Sequence, residues 1–568
     1  MKISEMSYER PDLDKTLGEL DAIRADIERA HTAADVADAF DRFEVAARRI
    51  YTQATLCSIR HTVDTRDKFY EAENDFFDAS TPRLGEKQMA VYGALLASPF
   101  RPQMEQKIGK LAFDKMEIDV KSLAPQVLGD MAAENALVSQ YEKLYASAQI
   151  EFAGRKNTVS QMAPYKQSAD RAVRRAACEA EGTWFDAHRA ELDELYDEMV
   201  KNRTQQAKKM GYENFVPLGA IRMRRIGYSL ADMAAYRAQI ERDVVPVVSQ
   251  LKTLQHRRTG VTDPKFWDDG FCFAEGNPTP HGTPEQIMAA GKQMYHALSP
   301  ETSEFIDAMF AADAFDVLSK PGKAPGGYCT YLPDYRQPFI FSNFNGTADD
   351  VDVLTHEAGH AFEAYVAGRM GYPAILEEPG MESCEIHSMS MEFLTADYHD
   401  LFFGADTQRY ELSHAEDALY FLPYGTMVDA FQHEMYQNPS LSPEERNRVW
   451  AQLEGRFRPW LDFGGLPFYG RGAGWQRQLH IYECPFYYID YCLAQTVALQ
   501  FFTAHLADKA DAWQRYLALV RRAGSETYPG LVKAARFANP FEAGTMASVA
   551  NAVGAWIVAR NAALTSGK

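Results

Sequence analysis

The chain has 568 residues, 46% of them hydrophobic and 24% charged, with a formal net charge of −20. That composition excludes a disordered or fibrous chain and suits either several domains or one large helical enzyme. The acidic balance, with no Lys/Arg-rich run and no aromatic-interleaved basic stripe, repels phosphate backbones and argues against a nucleic-acid partner.

The seven cysteines are scattered and nowhere spaced as C-x-x-C, which argues against a disulfide framework and against a thiolate zinc site. A reducing compartment fits them. The N-terminal residues have no apolar core of signal-peptide length, and no apolar run approaches the roughly 18 residues of a membrane span. A cytoplasmic protein without membrane contact is expected.

Residues 13–121 carry helical spacing, as in Ala37, Phe40, Phe43 and Ile50, and few turn signals. Next, Ile150-Glu151-Phe152 and Thr158-Val159-Ser160 flank Gly154-Arg155-Lys156-Asn157, which predicts a β-hairpin. Helical periodicity resumes over 168–211 and 229–258, the latter opened by a capping box at Ser229 and Asp232. Arginine runs at 171–175 and 222–225 read as solvated faces or internal ion pairs. Residues 260–282 are rich in Gly and Pro and form a long irregular connection. A second Gly/Pro cluster, 321–327, precedes two short strands, 328–332 and 338–344, marked by aromatic and β-branched residues. There is no internal repeat and no phosphate-cradling Gly-x-x-x-x-Gly-Lys-Ser/Thr motif.

The informative stretch follows. Asn345-Gly346 makes a turn, Thr347 and Asp350 supply a capping box, and an apolar helical face runs from Val351 until Gly368 stops it. Inside it lies His356-Glu357-Ala358-Gly359-His360. On a helix the two histidines sit one turn apart on one face and can share a metal ion, with Glu357 beside it as a general base. Catalytic zinc needs a third protein ligand and an open position. Helical spacing over 381–394 offers Glu382, Glu385, His387 and Glu392, with Glu385 and Glu392 on nearly the same face.

These segments resemble the oligoendopeptidase F family, relatives of thimet oligopeptidase. The matching residues are His356-Glu357-Ala358-Gly359-His360, the stretch from Phe339 to Thr347, and the Glu385-x-x-Ser388-x-x-x-Glu392 pattern. The family's third ligand lies about 25 residues past the second histidine, which the resemblance assigns here to Glu385. Glu392 falls where the family has a supporting acidic residue, and it is expected to hold a ligand imidazole by its other nitrogen. His387 is assigned to structure, and Glu363 is ambiguous between support of the site and surface. The segment from Trp475 to Tyr491 resembles the family's His-then-Tyr segment, whose side chains line the cleft opposite zinc. It makes His480 and Tyr488 candidate catalytic donors and Tyr491 and Tyr487 substrate contacts. Tyr488 and Tyr491 are favoured together because they share a helical face. Glycines 464, 465, 470, 472 and 474 make either a mobile loop over substrate or a plain connection. Ala538-Asn539-Pro540-Phe541-Glu542 is a further family-like feature without chemistry of its own.

The resemblance implies a mainly α, zincin-like fold. Two helical lobes flank a deep substrate channel, and a small β-sheet lies beside the zinc-binding helix. Residues 1–150 would form the N-terminal lobe and 151–568 the catalytic region, with the core site at 325–500. The implied activity is zinc-dependent endopeptidase cleavage of short oligopeptides, with one Zn2+ per chain and Glu357 taking the proton of the attacking water. The strand ending at Phe344, with Phe341 and Asn343, is expected to meet the substrate backbone. Two other readings are a zinc carboxypeptidase of related architecture and a non-enzymatic peptide-binding protein.

Overall fold

The structure, a computed structural model, describes residues 1–320, 322–324 and 326–565, so Pro321 and Pro325 of the second Gly/Pro cluster lie outside the described residues. The fold is mainly α, with one hairpin and one three-stranded sheet. No helix among the described residues is long and apolar enough to cross a membrane.

The N-terminal lobe is built on amphipathic helices. Helix α1 (Ala33–Val63) starts at a capping box made by Thr32 and Asp35 and buries Val36, Ala39, Phe40, Phe43 and Ala46 at helical spacing. These pack with Leu20, Ile23, Val91, Tyr92 and the inner face of α2 (Lys110–Ser122) into a core of their own. Leu376 from far downstream also joins this core, with Tyr372 and Ile375 packed against it.

The hairpin is displaced from its expected register. Strand β1 (Ile150–Phe152) pairs with β2 (Arg155–Asn157), Ile150 opposite Asn157. The turn is Ala153-Gly154, with φ of 52° and 75°, the two-residue type that matches strand twist. The second strand therefore begins at Arg155, not Thr158. The expected helix over 229–258 starts at the Ser229–Asp232 box but is broken by a π-turn over Ile240–Val244. Pro246, which lacks an N–H, stands in the next turn. The 260–282 connection is packed rather than loose: buried Asp268 accepts hydrogen bonds from Arg171 and from buried Arg174, whereas Arg175 pairs with Glu179 on the exposed face.

Beside the site lies a sheet of order β3-β5-β4, from β3 (Phe315–Leu318), β4 (Tyr328–Leu332) and β5 (Gln337–Phe344). β5 runs parallel to β3 and antiparallel to β4. Both of its edges are occupied, so the strand ending at Phe344 cannot pair with a peptide, which corrects the expectation. β3 and β4 are the edge strands.

β5 feeds helix α3 (Asp349–Ala367). The expected Thr347 cap is absent. Instead Asp350, inside the first turn, reaches back and accepts the backbone N–H groups of Asn345 and Gly346 at 2.8 and 2.7 Å. Gly368 follows the last helical residue with φ of −63°. It is small rather than left-handed, because a Cβ there would overlap the Tyr331 hydroxyl.

Helix α4 (Met381–Leu394) crosses α3 at Gly359, where a Cβ would lie 2.6 Å from the His387 carbonyl oxygen and the Ser388 Cα. The glycine allows the two backbones to touch. The N-terminal lobe grips the connection between these helices. Arg48 forks onto Glu377 at 2.9 Å twice, Glu44 accepts the Ala374 N–H at 2.7 Å, and Lys115 donates to the carbonyls of Ile375 and Glu378. Helices α5 (Thr407–Gln437) and α6 (Tyr488–Ala507) pack behind and across from them.

Candidate active site

Helical spacing on α3 sets the His356 and His360 rings 5.1 Å apart at 80°. The close crossing at Gly359 brings in Glu385 from α4. Its Oε2 lies 3.2 Å from His356 Nε2 and 3.4 Å from His360 Nε2. One ligand atom from each of these residues falls within 4.8 Å of the others. Two imidazoles and one carboxylate converging this way fit the donor set of an open, catalytic zinc site. Burial alone would raise the Glu385 carboxyl, but the charges of His360 and His356 and their hydrogen bonds hold it well below the usual range.

The donors are themselves held. Glu392 Oε1 accepts from His356 Nδ1 at 2.8 Å, which leaves Nε2 as the free donor atom. Glu392 Oε2 accepts from His414 Nε2, also at 2.8 Å. His414 is on α5 and carries no motif; spacing within any one helix could not have revealed it. Burial would lower its pKa, but the bond to Glu392 and the charge of Asp352 push it up to about 9. Ser388 Oγ donates to Glu385 Oε2 at 3.0 Å. His387, by contrast, has both ring nitrogens buried without a partner among the described residues, and burial pushes it down to about 3. Glu363 is buried as well, its Oε1 unpartnered among the described residues, and burial raises it well above the carboxylate range.

Glu357 is 8% exposed. Burial raises its pKa, and the charges of His356 and His360 partly offset this. Where a Gly327 Cβ would stand is 3.7 Å from Glu357 Oε1, so edge strand β4 begins beside this carboxylate.

Across from α4 the aromatic segment departs from its expected phase. Tyr487, not Tyr488, reaches the cluster: its hydroxyl donates to Glu385 Oε1 at 2.8 Å. Helix α6 starts at Tyr488, so Tyr487 precedes it and projects forward. Tyr488 instead packs edge-on against Phe421, Tyr424 and His480 at 5.6, 5.9 and 4.9 Å. Tyr491 lies 4.9 Å from the Tyr487 ring. The Tyr424 hydroxyl donates to Gln478 Oε1 at 2.7 Å, which turns the Gln478 amide nitrogen onto His480 Nδ1 at 2.9 Å. His480 therefore accepts at Nδ1 and carries its proton on Nε2. Burial pushes it down to about 4, so it is neutral near pH 7.

Two of the expected substrate contacts are occupied elsewhere. The Phe341 side chain is fully buried and stacks on Tyr328 at 4.8 Å, so it cannot touch a substrate. The Asn343 amide donates at 2.9 Å to the carbonyls of both Ala324 and Gly326, pinning the Gly/Pro cluster. Of the glycines over 464–474, Gly464 lies on Trp267 and Gly472 on the Asn447 carbonyl, whereas Gly465 is exposed with open space beside it.

Comparison with known proteins agrees with this geometry. The peptidase M3 N-terminal domain profile matches residues 3–123, and the peptidase family M3 profile matches residues 285–550. A solved structure of PZ peptidase A with inhibitor 2 is 43% identical, covers 98% of this chain and 99% of its own, and superposes with a TM-score of 0.95. A putative oligoendopeptidase F is 45% identical over 99% and 100% of the two chains, TM-score 0.95. One from Bacillus anthracis str. Ames is 41% identical over 98% of each, TM-score 0.90. No curated protein matched. The chain therefore belongs to peptidase family M3, as a metalloendopeptidase of the oligoendopeptidase F type.

Proposed function

We propose that the protein is a zinc-dependent endopeptidase acting on internal bonds of short oligopeptides, with His356, His360 and Glu385 as metal ligands and Glu357 as general base. The observation that carries this reading is the convergence of those three donors beside the buried Glu357 carboxylate. When bound, zinc would supply a Lewis acid for the scissile carbonyl and lower the pKa of water toward about 7.

The chain's own groups do the rest. Glu357 takes the proton of the attacking water and returns it to the leaving amine; its raised pKa favours that return. The Nε2–H of neutral His480 and the Tyr491 hydroxyl are donors for the negative oxygen that develops as water adds, and the Tyr487 hydroxyl joins them when its one proton turns from Glu385 Oε1 to that oxygen. Edge strand β4, starting beside Glu357, is the candidate for pairing with the substrate backbone, which would make recognition largely independent of side chains. No disulfide forms among the described residues, which fits work in a reducing cytoplasm. Mass spectrometry of an end-blocked peptide mixture, with and without chelator, tests the reading. Internal cleavage that chelator abolishes and zinc restores is expected; stepwise loss of C-terminal residues, or cleavage indifferent to chelator, would contradict it.

A further inference from the structure

We infer that His414 is a positioning residue for the metal ligand His356, acting through Glu392; the inference rests on the reading of His356 as a ligand. The Glu392 carboxylate divides its two oxygens, Oε1 to His356 Nδ1 and Oε2 to His414 Nε2, each at 2.8 Å. A carboxylate bonded on one oxygen can still swing about its last torsion. Bonded on both, it fixes the plane and tautomer of the imidazole it serves.

His414 is in turn immobilised. Its ring stacks on Tyr410 at 5.7 Å and 17° and packs on Phe393 at 4.7 Å. Tyr410 stacks on Phe403 at 3.8 Å and donates its hydroxyl to Asp352. Asp352 lies on α3 itself, one turn before His356. The contacts thus close a circuit, from His356 on α3 to Glu392 on α4, to His414 and Tyr410 on α5, and back to α3 through Asp352. Three helices are locked by one circuit of hydrogen bonds and a ring stack, with the ligand imidazole as a member. A filler histidine would not need to share a carboxylate with a ligand.

The test is zinc release to a chelator from His414→Phe, which keeps a ring and loses the donor, and from His414→Gln, which keeps a side-chain N–H. His414→Phe should release zinc about 10- to 100-fold faster than wild type, while circular dichroism shows the metal-stripped variant folded. His414→Gln should stay close to the wild-type rate. In a Glu392→Gln background, adding His414→Phe should change nothing further, because both act on the same bond. Release from His414→Phe at the wild-type rate, a folded His414→Gln as leaky as His414→Phe, or effects of the two sites that multiply would each overturn the inference. Wild-type protein that holds no stoichiometric zinc would instead overturn the metal reading beneath it.

Discussion

The Tyr487 hydroxyl donates to Glu385 Oε1 at 2.8 Å while the other oxygen of that carboxylate faces the two histidines. One tyrosine thus bonds the carboxylate that converges with the two histidines. Its neighbour in sequence turns away into Phe421 and Tyr424.

Tyr487→Phe and Tyr488→Phe should therefore differ. Losing an oxyanion donor costs on the order of a hundredfold in kcat, and Tyr487→Phe is expected to show a loss of that size. Tyr488→Phe removes no donor to the cluster and should stay near wild type. Steady-state kinetics on one blocked peptide decide the matter, and the reverse ranking would refute the assignment.

Gly359 is where α3 and α4 touch, and the atoms a methyl would meet there are backbone. Gly359→Ala must push the helices apart, since neither His387 O nor Ser388 Cα can rotate away. A cost of about 1–3 kcal/mol follows, together with weaker zinc retention as Glu385 moves off the histidines. Denaturant unfolding and metal content check this; a variant with unchanged stability and full zinc would contradict it.

Glu382 is 3% exposed with Oε2 unpartnered among the described residues. Burial, and then the Asp490 charge, push its carboxyl from 4.5 up to about 8. Between those values the folded state keeps a proton that the unfolded state has lost, so stability falls as pH rises through this window, by up to about 1.4 kcal/mol per pH unit. Glu382→Gln does not titrate. Its stability relative to wild type should rise from pH 5 to pH 8. A difference that is flat or shrinks over that range would rule out the buried, protonated carboxyl.

The parts of the fold written in local pattern were legible. His356, Glu357 and His360 form a helical period inside an apolar face, and strands 328–332 and 338–344 are bounded by turn residues, so both emerged from spacing. What spacing does not reveal has either an unmarked backbone conformation or a contact between distant segments behind it. Ala153 adopts a positive φ that its residue type does not advertise, which shifted the hairpin. Tyr487 sits just outside a helix whose start no cap marks, so counting phase from Tyr488 favours a hydroxyl that does not bond Glu385. β3 is four residues long and exists because β5 lies beside it. Glu385 was one of several acidic candidates until family resemblance chose it; Gly359 shows why it arrives, but only once both helices are in view. His414 belongs to a contact between α4 and α5 that no single stretch of chain encodes.

The central claim is that Glu357 moves the proton and does not hold the metal. Glu357→Gln keeps the shape of the side chain and all three proposed ligands. Zinc content and turnover of a blocked peptide, measured on the same preparation, test the claim most directly. One zinc per chain with hydrolysis reduced by about 100- to 10,000-fold is the expected result. Turnover close to wild type, or loss of the zinc, would contradict it.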